Sequence, residues 1–196
     1  MAKTVGVSFT DYDFNPYPTR GRYGDVSIQK MGLGSTINLW QLSAKGINYW
    51  SLGRKAYFSL RLAGMLKLPF EQPYITQQFL GYGDAYLQGY ENYIVDGVAG
   101  GYAKQTIAFN FINTEIPLPT IKWFKSLSSV PLKMYVKAFT NEGYVHNPNP
   151  GYNNELTNKM LYSAGLGLDI VMFTDLIFKF EWSFNQLGQN GIFLHQ

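Results

Sequence analysis

The stretch Leu176-Ile-Phe-Lys-Phe-Glu-Trp-Ser-Phe184 decides the fold, because a large apolar side chain occupies every second position. Successive side chains of a β-strand point to opposite faces of a sheet, so this alternation predicts a strand with one apolar and one polar face. The apolar face carries Leu176, Phe178, Phe180, Trp182 and Phe184, and the polar face carries Lys179, Glu181 and Ser183. A sheet built from such strands needs two different environments on its two faces.

The same alternation runs through most of the chain. It is clear at residues 57–68 and 164–172. Further strands are predicted at 4–12, 20–31, 36–50, 103–116 and 131–142. About eight strands result, with Gly191–His195 as a short ninth. Only Ile121–Leu127, between two of the strands, has a helical spacing of apolar residues. The sequence therefore predicts an all-β fold.

The composition limits the classes of function. The 196 residues fit one domain, which we assign to residues 1–196. Charged residues make up 15% of the chain and aromatic residues 17%, against a usual charged share of about 25%, so a disordered chain is excluded. The net charge of +3 is scattered along the chain, which argues against nucleic acid as a partner. Because there is no cysteine, disulfides, thiolate metal sites and thiol nucleophiles are excluded.

Two architectures fit the alternation: a soluble barrel or sandwich with apolar faces inward, and a membrane barrel with apolar faces outward and a polar lumen. The pattern alone does not choose between them. Strands of about ten residues, polar faces rich in charge and glycine, and aromatic residues near strand ends favour a transmembrane antiparallel β-barrel. These aromatic residues are Tyr49, Trp50, Tyr57, Trp123, Tyr135, Tyr144 and Tyr162. No apolar run approaches the length of a transmembrane helix.

The links between the predicted strands alternate in length, as in a barrel with short turns at one end and long loops at the other. Short links lie at Trp50–Arg54 and Phe173–Asp175, and long ones at 69–102 and 143–160. An unstructured link as long as 69–102 usually has a function. We therefore expect residues 69–102 to form a long extracellular loop that contributes to the activity.

Catalytic chemistry is not indicated. His146 and His195 lack any paired-carboxylate or zinc-binding spacing. Gly32-Leu-Gly-Ser35 lacks the rest of a phosphate-binding loop and is predicted to be a hairpin turn. We expect no enzyme activity, no cofactor and no metal. The charges predicted to face the lumen either pair across it or line a conduit. They are Arg61, Lys133, Lys137, Asp169, Lys179 and Glu181.

Five short motifs, spread over nearly the whole chain, together resemble one family. In chain order they are Asp11, Asp13, Pro18 and Gly21 at the front; Leu87-Gln88-Gly89-Tyr90 in the long loop; Glu115-Ile-Pro117; Phe139-Thr-Asn141-Glu142-Gly143; and Ser163–Asp169. The arrangement resembles the barrel of the BamA/TamA superfamily of outer-membrane assembly factors, also called bacterial surface antigens. In that family a long extracellular loop carries a VRGY or VRGF motif and folds back into the lumen.

The resemblance implies a role for the loop motif. In the family the arginine of the motif pairs with an acidic group of the lumen wall; here Gln88 stands in place of the arginine and Asn141 in place of the aspartate. A hydrogen bond between two amides would replace the ion pair without leaving a buried charge. We therefore expect Gln88 to point into the lumen and to bind a wall residue. Asn141 is the first choice, and Glu142 or Glu115 is the alternative acceptor.

The resemblance also implies insertion or export of outer-membrane proteins in the bacterial outer membrane, with outer-membrane lipids and client proteins as partners. The family's barrel has about sixteen strands, so the chain resembles its C-terminal half, to be completed by a second copy or another chain, with POTRA domains as further partners. The ending Ile192–Gln196 departs from the family's aromatic end. Two alternatives remain: a small structural or adhesion barrel acting through its extracellular loops, and a soluble ligand-binding barrel.

Overall fold

Nine strands form one antiparallel sheet in the computed structural model, which describes residues 2–14, 16–32, 38–117, 129–150, 155–173 and 176–195. The strands are β1 (Ala2–Tyr12), β2 (Gly21–Met31), β3 (Leu39–Ser51), β4 (Ala56–Leu68), β5 (Ala99–Pro117), β6 (Ser129–His146), β7 (Met160–Met172), β8 (Leu176–Asn185) and β9 (Asn190–His195). The helical structure in the described ranges is a single 3-10 turn, Tyr74–Thr76. The predicted all-β class is therefore confirmed, with nine strands.

The strands follow one another in chain order, each hydrogen-bonded to the next. Within the described part of the chain no pairing joins β1 to β9, so these strands do not close a barrel by themselves. The antiparallel all-β sheet agrees with the sequence prediction, and completion by other strands stays a prediction. Space gives a physical reason for the open sheet. A barrel of about eight strands has an interior just wide enough for its own side chains. Here the inner face also holds the link between β4 and β5, which takes up part of that space.

The outer face of the sheet is apolar and the inner face is polar. On the outer face, Val136 of β6 and Phe180 of β8 are 47% and 41% exposed. Their chain neighbours Lys137 and Glu181 point inward and are 6% and 2% exposed. This is the reverse of a soluble barrel and is the arrangement that a lipid-facing sheet requires. Among the described residues, no helix has the length and the apolar composition needed to cross a membrane.

The link between β1 and β2 is a turn built on Asp13 and Gly21. The Asp13 carboxylate accepts hydrogen bonds from the backbone N–H groups of Thr19 and Arg20, at 3.0 and 3.1 Å, and one from the Thr19 hydroxyl at 2.6 Å. Burial alone raises the pKa of the Asp13 carboxyl, but these hydrogen bonds outweigh it, so the pKa lies below its ordinary value. At Gly21, where φ is +120°, a Cβ would lie 2.0 Å from the Asp11 carbonyl oxygen.

The same link sends Tyr17 across the inner face. Its ring lies 4.8 Å from that of Tyr135 on β6 and 6.0 Å from that of Tyr57 on β4, measured between ring centroids. These rings form a buried cluster with Ala108 and Val171. The cluster lies beside the buried Asp169, because the Tyr17 hydroxyl donates a hydrogen bond to its carboxylate.

Several sequence predictions fall outside the described residues. They are the helical segment Ile121–Leu127 with Trp123, most of the Gly32–Ser35 turn, and part of the Phe173–Asp175 link. Strands β2 and β3, on either side of the Gly32–Ser35 segment, are antiparallel neighbours, with Met31 opposite Leu39.

Replacing Val136 with lysine tests the assignment of the outer face. A lysine near the middle of a lipid-facing strand costs about 2–4 kcal/mol, so Val136→Lys is expected to lower the free energy of unfolding by that amount in lipid vesicles. The measurement is urea unfolding followed by tryptophan fluorescence. Val136→Leu, the apolar control, should leave the free energy nearly unchanged. Equal stability of the two variants would contradict a lipid-facing outer surface.

Candidate functional site

The link between β4 and β5, residues 69–98, folds back over the inner face of the sheet. This link is four residues shorter than the predicted loop of 69–102, because β5 already begins at Ala99. A backbone bridge between Leu80 and Val95 ties the two arms of the loop together. Its apolar side chains join residues of the wall in one buried cluster, made of Phe79, Leu80, Leu87, Tyr90, Val95, Tyr102, Val145, Leu156 and Leu161. The loop is thus packed on the sheet and is not an open surface excursion.

An ion pair anchors the other side of the loop. Asp84, near the loop tip, pairs with Lys45 on β3. The hydrogen bond from the Lys45 ammonium lowers the pKa of the Asp84 carboxyl below its ordinary value. The apolar cluster lies mainly against β5 to β7. The ion pair therefore attaches the loop to a second part of the sheet, at β3.

The predicted motif Leu87–Tyr90 contacts the wall at several strands. Leu87 is 1% exposed and packs on Gly143 of β6, where a Cβ would lie 2.8 Å from the Leu87 Cδ1. The Asn185 side chain donates to the Gly89 carbonyl at 2.7 Å, and the Tyr90 hydroxyl donates to the Tyr162 carbonyl at 3.2 Å. The motif therefore reaches β6, β7 and β8 together.

Gln88 lies over the inner wall, close to Asn141. The Asn141 amide donates to the backbone carbonyl of Gln88 at 3.3 Å and to the Ser163 hydroxyl at 2.9 Å. The Gln88 side-chain amide instead donates to Glu181 Oε1 on β8, at 3.4 Å. The contact between Gln88 and Asn141 is therefore made through the main chain. A carboxylate is the stronger acceptor for the side chain, because a hydrogen bond to a charged group exceeds one between two amides.

Glu142 and Glu115 do not serve as the alternative acceptors. Glu142 follows Asn141 on β6, so the two-residue period turns it to the outer face, where the Gln105 amide donates to it at 3.5 Å. Glu115 lies near the end of β5 and accepts a hydrogen bond from the Ser129 hydroxyl at 3.0 Å. In the described part of the chain neither carboxylate contacts the loop motif.

A buried ionic cluster lies beneath the motif. The Lys137 ammonium is 2.6 Å from Asp169 Oδ1 and 2.6 Å from Glu181 Oε1, so two carboxylates share one cation. The Tyr17 hydroxyl donates to Asp169 Oδ2 at 2.8 Å, and the Tyr57 hydroxyl donates to that of Tyr17 at 2.9 Å. Of the two interpretations of the lumen charges, this cluster supports pairing within the wall.

The remaining predicted lumen charges fall into two places. Arg61 and Lys179 line a cavity of about 340 Å³ together with the ionic cluster and Gln88. Lys133 lies apart, in a smaller cavity of about 210 Å³ beside Arg54 and Lys55. The larger cavity is thus the polar centre of the inner face.

Tyr17, Tyr86 and Lys104 of this cavity were not singled out from the sequence, and neither was Glu91 of the loop. The Lys104 ammonium lies 3.9 Å from the centroid of the Tyr86 ring. Burial raises the pKa of the Glu91 carboxyl above its ordinary value. Lys104 has an inward position in the alternation of β5, so the sequence pattern could have identified it. Glu91 and Tyr86 lie in the loop, where no periodicity assigns a direction.

Replacing Gly89 with alanine tests how the Leu87–Tyr90 motif packs against the wall. Gly89 has φ +90°, and a Cβ there would lie 3.0 Å from the Ser163 Cβ; Gly83, in the same loop, has φ +58° and open space around it. Both alanine variants carry the backbone strain of a positive φ, about 1–3 kcal/mol, but only Gly89→Ala also crowds the wall. We expect chymotrypsin to cleave the loop at least about fivefold faster in Gly89→Ala than in Gly83→Ala. Equal cleavage rates would contradict the close packing of the motif against the wall.

Removal of the shared cation tests the ionic cluster. Lys137→Met removes the ammonium that the buried Asp169 and Glu181 both contact and is expected to lower the free energy of unfolding by about 3–5 kcal/mol. Adding Asp169→Asn and Glu181→Gln to this variant removes the unpaired charges and should recover most of the loss. The measurement is urea unfolding of the refolded chain in detergent micelles. An unchanged midpoint for Lys137→Met alone would show that the cluster does not hold the wall.

Comparison with known proteins agrees with this architecture. The family model of the Omp85 superfamily domain matches residues 2–172, which covers β1 to β7 and the whole loop with its Leu87–Tyr90 motif. No curated protein and no solved structure matched the chain. Proteins of this superfamily are associated with the bacterial outer membrane, where they act in protein insertion and secretion without enzyme activity. The matched region, which is most of the chain, confirms the resemblance noted in the sequence: the chain belongs to the Omp85 superfamily.

Proposed function

We propose that this chain inserts or exports other outer-membrane proteins by offering the free edge of β1 to a strand of the client. The observation that carries the proposal is a strand edge without a partner among the described residues, on a sheet whose outer face is apolar. Such an edge lies in the hydrocarbon when the sheet is in a membrane. Backbone groups there have no water to bind, so each unpaired group costs several kcal/mol, and the edge gains free energy by pairing with a strand.

β1 is the better suited of the two edges. Its eleven residues match the span of a transmembrane strand, about nine to eleven residues, whereas β9 has six. Every residue from Ala2 to Asp11 is exposed, and Val5, Val7 and Phe9 turn apolar side chains to the outer face. A client strand added here would extend the sheet by backbone hydrogen bonds with little demand on its sequence, which suits a factor that serves many clients.

The loop supports the proposal from the inner side. With residues 69–98 packed on the inner face, the sheet has no room to curl until β1 meets β9, and both edges stay free. A client strand, a second copy or another chain then completes the wall. Outer-membrane lipids would cover the outer face, and POTRA domains belong to the same proposal as partners that deliver the client.

Disulfide crosslinking tests the β1 edge, because the chain contains no cysteine of its own. Ser8→Cys on β1 is compared with Ser27→Cys on β2, a neighbouring inward position that is paired on both sides. Each refolded variant is incubated in lipid vesicles with an unfolded outer-membrane protein that carries one cysteine in its last strand. We expect crosslinks to form at position 8 and not at position 27.

Two results would argue against the proposal. Equal crosslinking at both positions would indicate unspecific encounter. A folded Ser8→Cys variant that forms no crosslink while the client inserts would show that β1 is not the pairing edge.

A further inference from the structure

We infer that Glu91, Glu181 and His195 form a binding site for a divalent transition-metal ion of the Zn²⁺ type. The three residues come from the loop, β8 and β9. One ligand atom of each lies within 4.8 Å of those of the other two. In the two ion pairs of the group, His195 Nε2 faces Glu91 Oε1 and Glu181 Oε2. The site goes beyond the proposed function, because nothing in the pairing of a client strand requires a metal.

The three atoms are buried and lack hydrogen-bond partners. His195 Nε2 is 3.5 Å from Glu181 Oε2 and 3.8 Å from Glu91 Oε1, so neither contact is a good hydrogen bond. Buried polar atoms are almost always paired, and three unpaired ones that face a common point need an explanation. A cation at that point would bind all three.

The other carboxylate oxygens are already engaged, which orients the free ones. Glu91 Oε2 accepts a hydrogen bond from the Gly89 backbone N–H at 2.8 Å. Glu181 Oε1 is bound by the Lys137 ammonium at 2.6 Å. Each carboxylate is thus fixed by one oxygen and presents the second to the site, as in metal sites whose ligands are held by neighbouring groups.

The imidazole is held by two aromatic rings. His195 stacks on Tyr86 of the loop and on Phe193 of β9, with centroid distances of 5.5 and 6.4 Å and interplanar angles of 26° and 21°. This stacking keeps the ring plane in place while Nε2 faces the two carboxylates. The ligand set is therefore largely preformed, which lowers the entropic cost of binding an ion.

The donor set selects the class of metal. One imidazole nitrogen and two carboxylate oxygens suit Zn²⁺, whereas Mg²⁺ and Ca²⁺ prefer oxygen ligands alone. In a tetrahedral zinc site neighbouring ligand atoms lie roughly 3.4 Å apart. The two measured distances from His195 Nε2, 3.5 and 3.8 Å, need only small shifts to reach that value.

Charges of both signs surround the site, and its own two carboxylates, Glu91 and Glu181, would balance a dication. Lys137 is shared by Asp169 and Glu181, and with Glu91 three carboxylates lie beside this one paired ammonium. Lys104 faces the same cavity, with its ammonium over the Tyr86 ring. Arg61 and Lys179 line the cavity as well, and we assign the ion to the side where Glu91 and His195 meet. A bound ion would join the loop to the last two strands.

Metal binding by the refolded full-length chain in detergent micelles tests the inference. After treatment with a chelator, ZnCl₂ is titrated by isothermal calorimetry, and CoCl₂ is followed by the visible absorption of tetrahedral cobalt. We expect one equivalent of Zn²⁺ to bind, and MgCl₂ to bind at least tenfold more weakly. Glu91→Gln and His195→Gln should each weaken Zn²⁺ binding at least about tenfold, which corresponds to the loss of one of three ligands.

His146→Gln is the matched control, because His146 is the other histidine of the chain and lies outside the site, beside Asn158. Unchanged Zn²⁺ binding by this variant supports the site. Glu181 is not replaced, since its loss would also disturb Lys137. The inference is overturned if the unchanged chain binds no Zn²⁺, or if His146→Gln abolishes binding while His195→Gln does not. Should His195→Gln fail to refold, Glu91→Gln and the cobalt spectrum of the unchanged chain decide.

Discussion

The sharing of one ammonium between two buried carboxylates is the interaction on which the inner wall depends. Lys137, Asp169 and Glu181 stand on the adjacent strands β6, β7 and β8, at inward positions. Without the ammonium both buried carboxylates would lose the cation that they contact directly. Gln88 reaches the cluster from the loop and Tyr17 from the first link, so strands and links are held at the same point.

Filling of the inner face determines the shape of the sheet. The loop between β4 and β5 and the Tyr17 side chain both pack on the wall, so they take up space that side chains of the strands alone would fill in a closed small barrel. Among the residues that the structure describes, the sheet stays open, with an apolar outer face and a long edge at β1 that pairs with no further strand. The same packing that buries polar groups inside thus leaves backbone groups unpaired at the rim, which is the basis of the proposed assembly activity.

Much of the candidate site could be predicted from the sequence, but its contacts could not. The two-residue period places Lys137, Asp169 and Glu181 on one face, and the same period argues against Glu142 as a partner of the loop, because it follows Asn141. The loop motif does lie beside Asn141. The contact uses the backbone carbonyl of Gln88 because of how deeply the loop packs against the wall. At this depth the Gln88 side chain lies nearer to Glu181.

The sequence by itself determined the strands, the faces that their side chains share and the family, because alternation and short motifs are local properties of the chain. Only the tertiary structure decided that the sheet is open, that one lysine serves two carboxylates, and that Glu91, Glu181 and His195 converge. Glu181 and His195 lie on the neighbouring strands β8 and β9, but Glu91 is far from both along the chain. They meet because the loop packs its apolar side chains against the wall, and no local pattern encodes how far a loop folds in before that packing is complete.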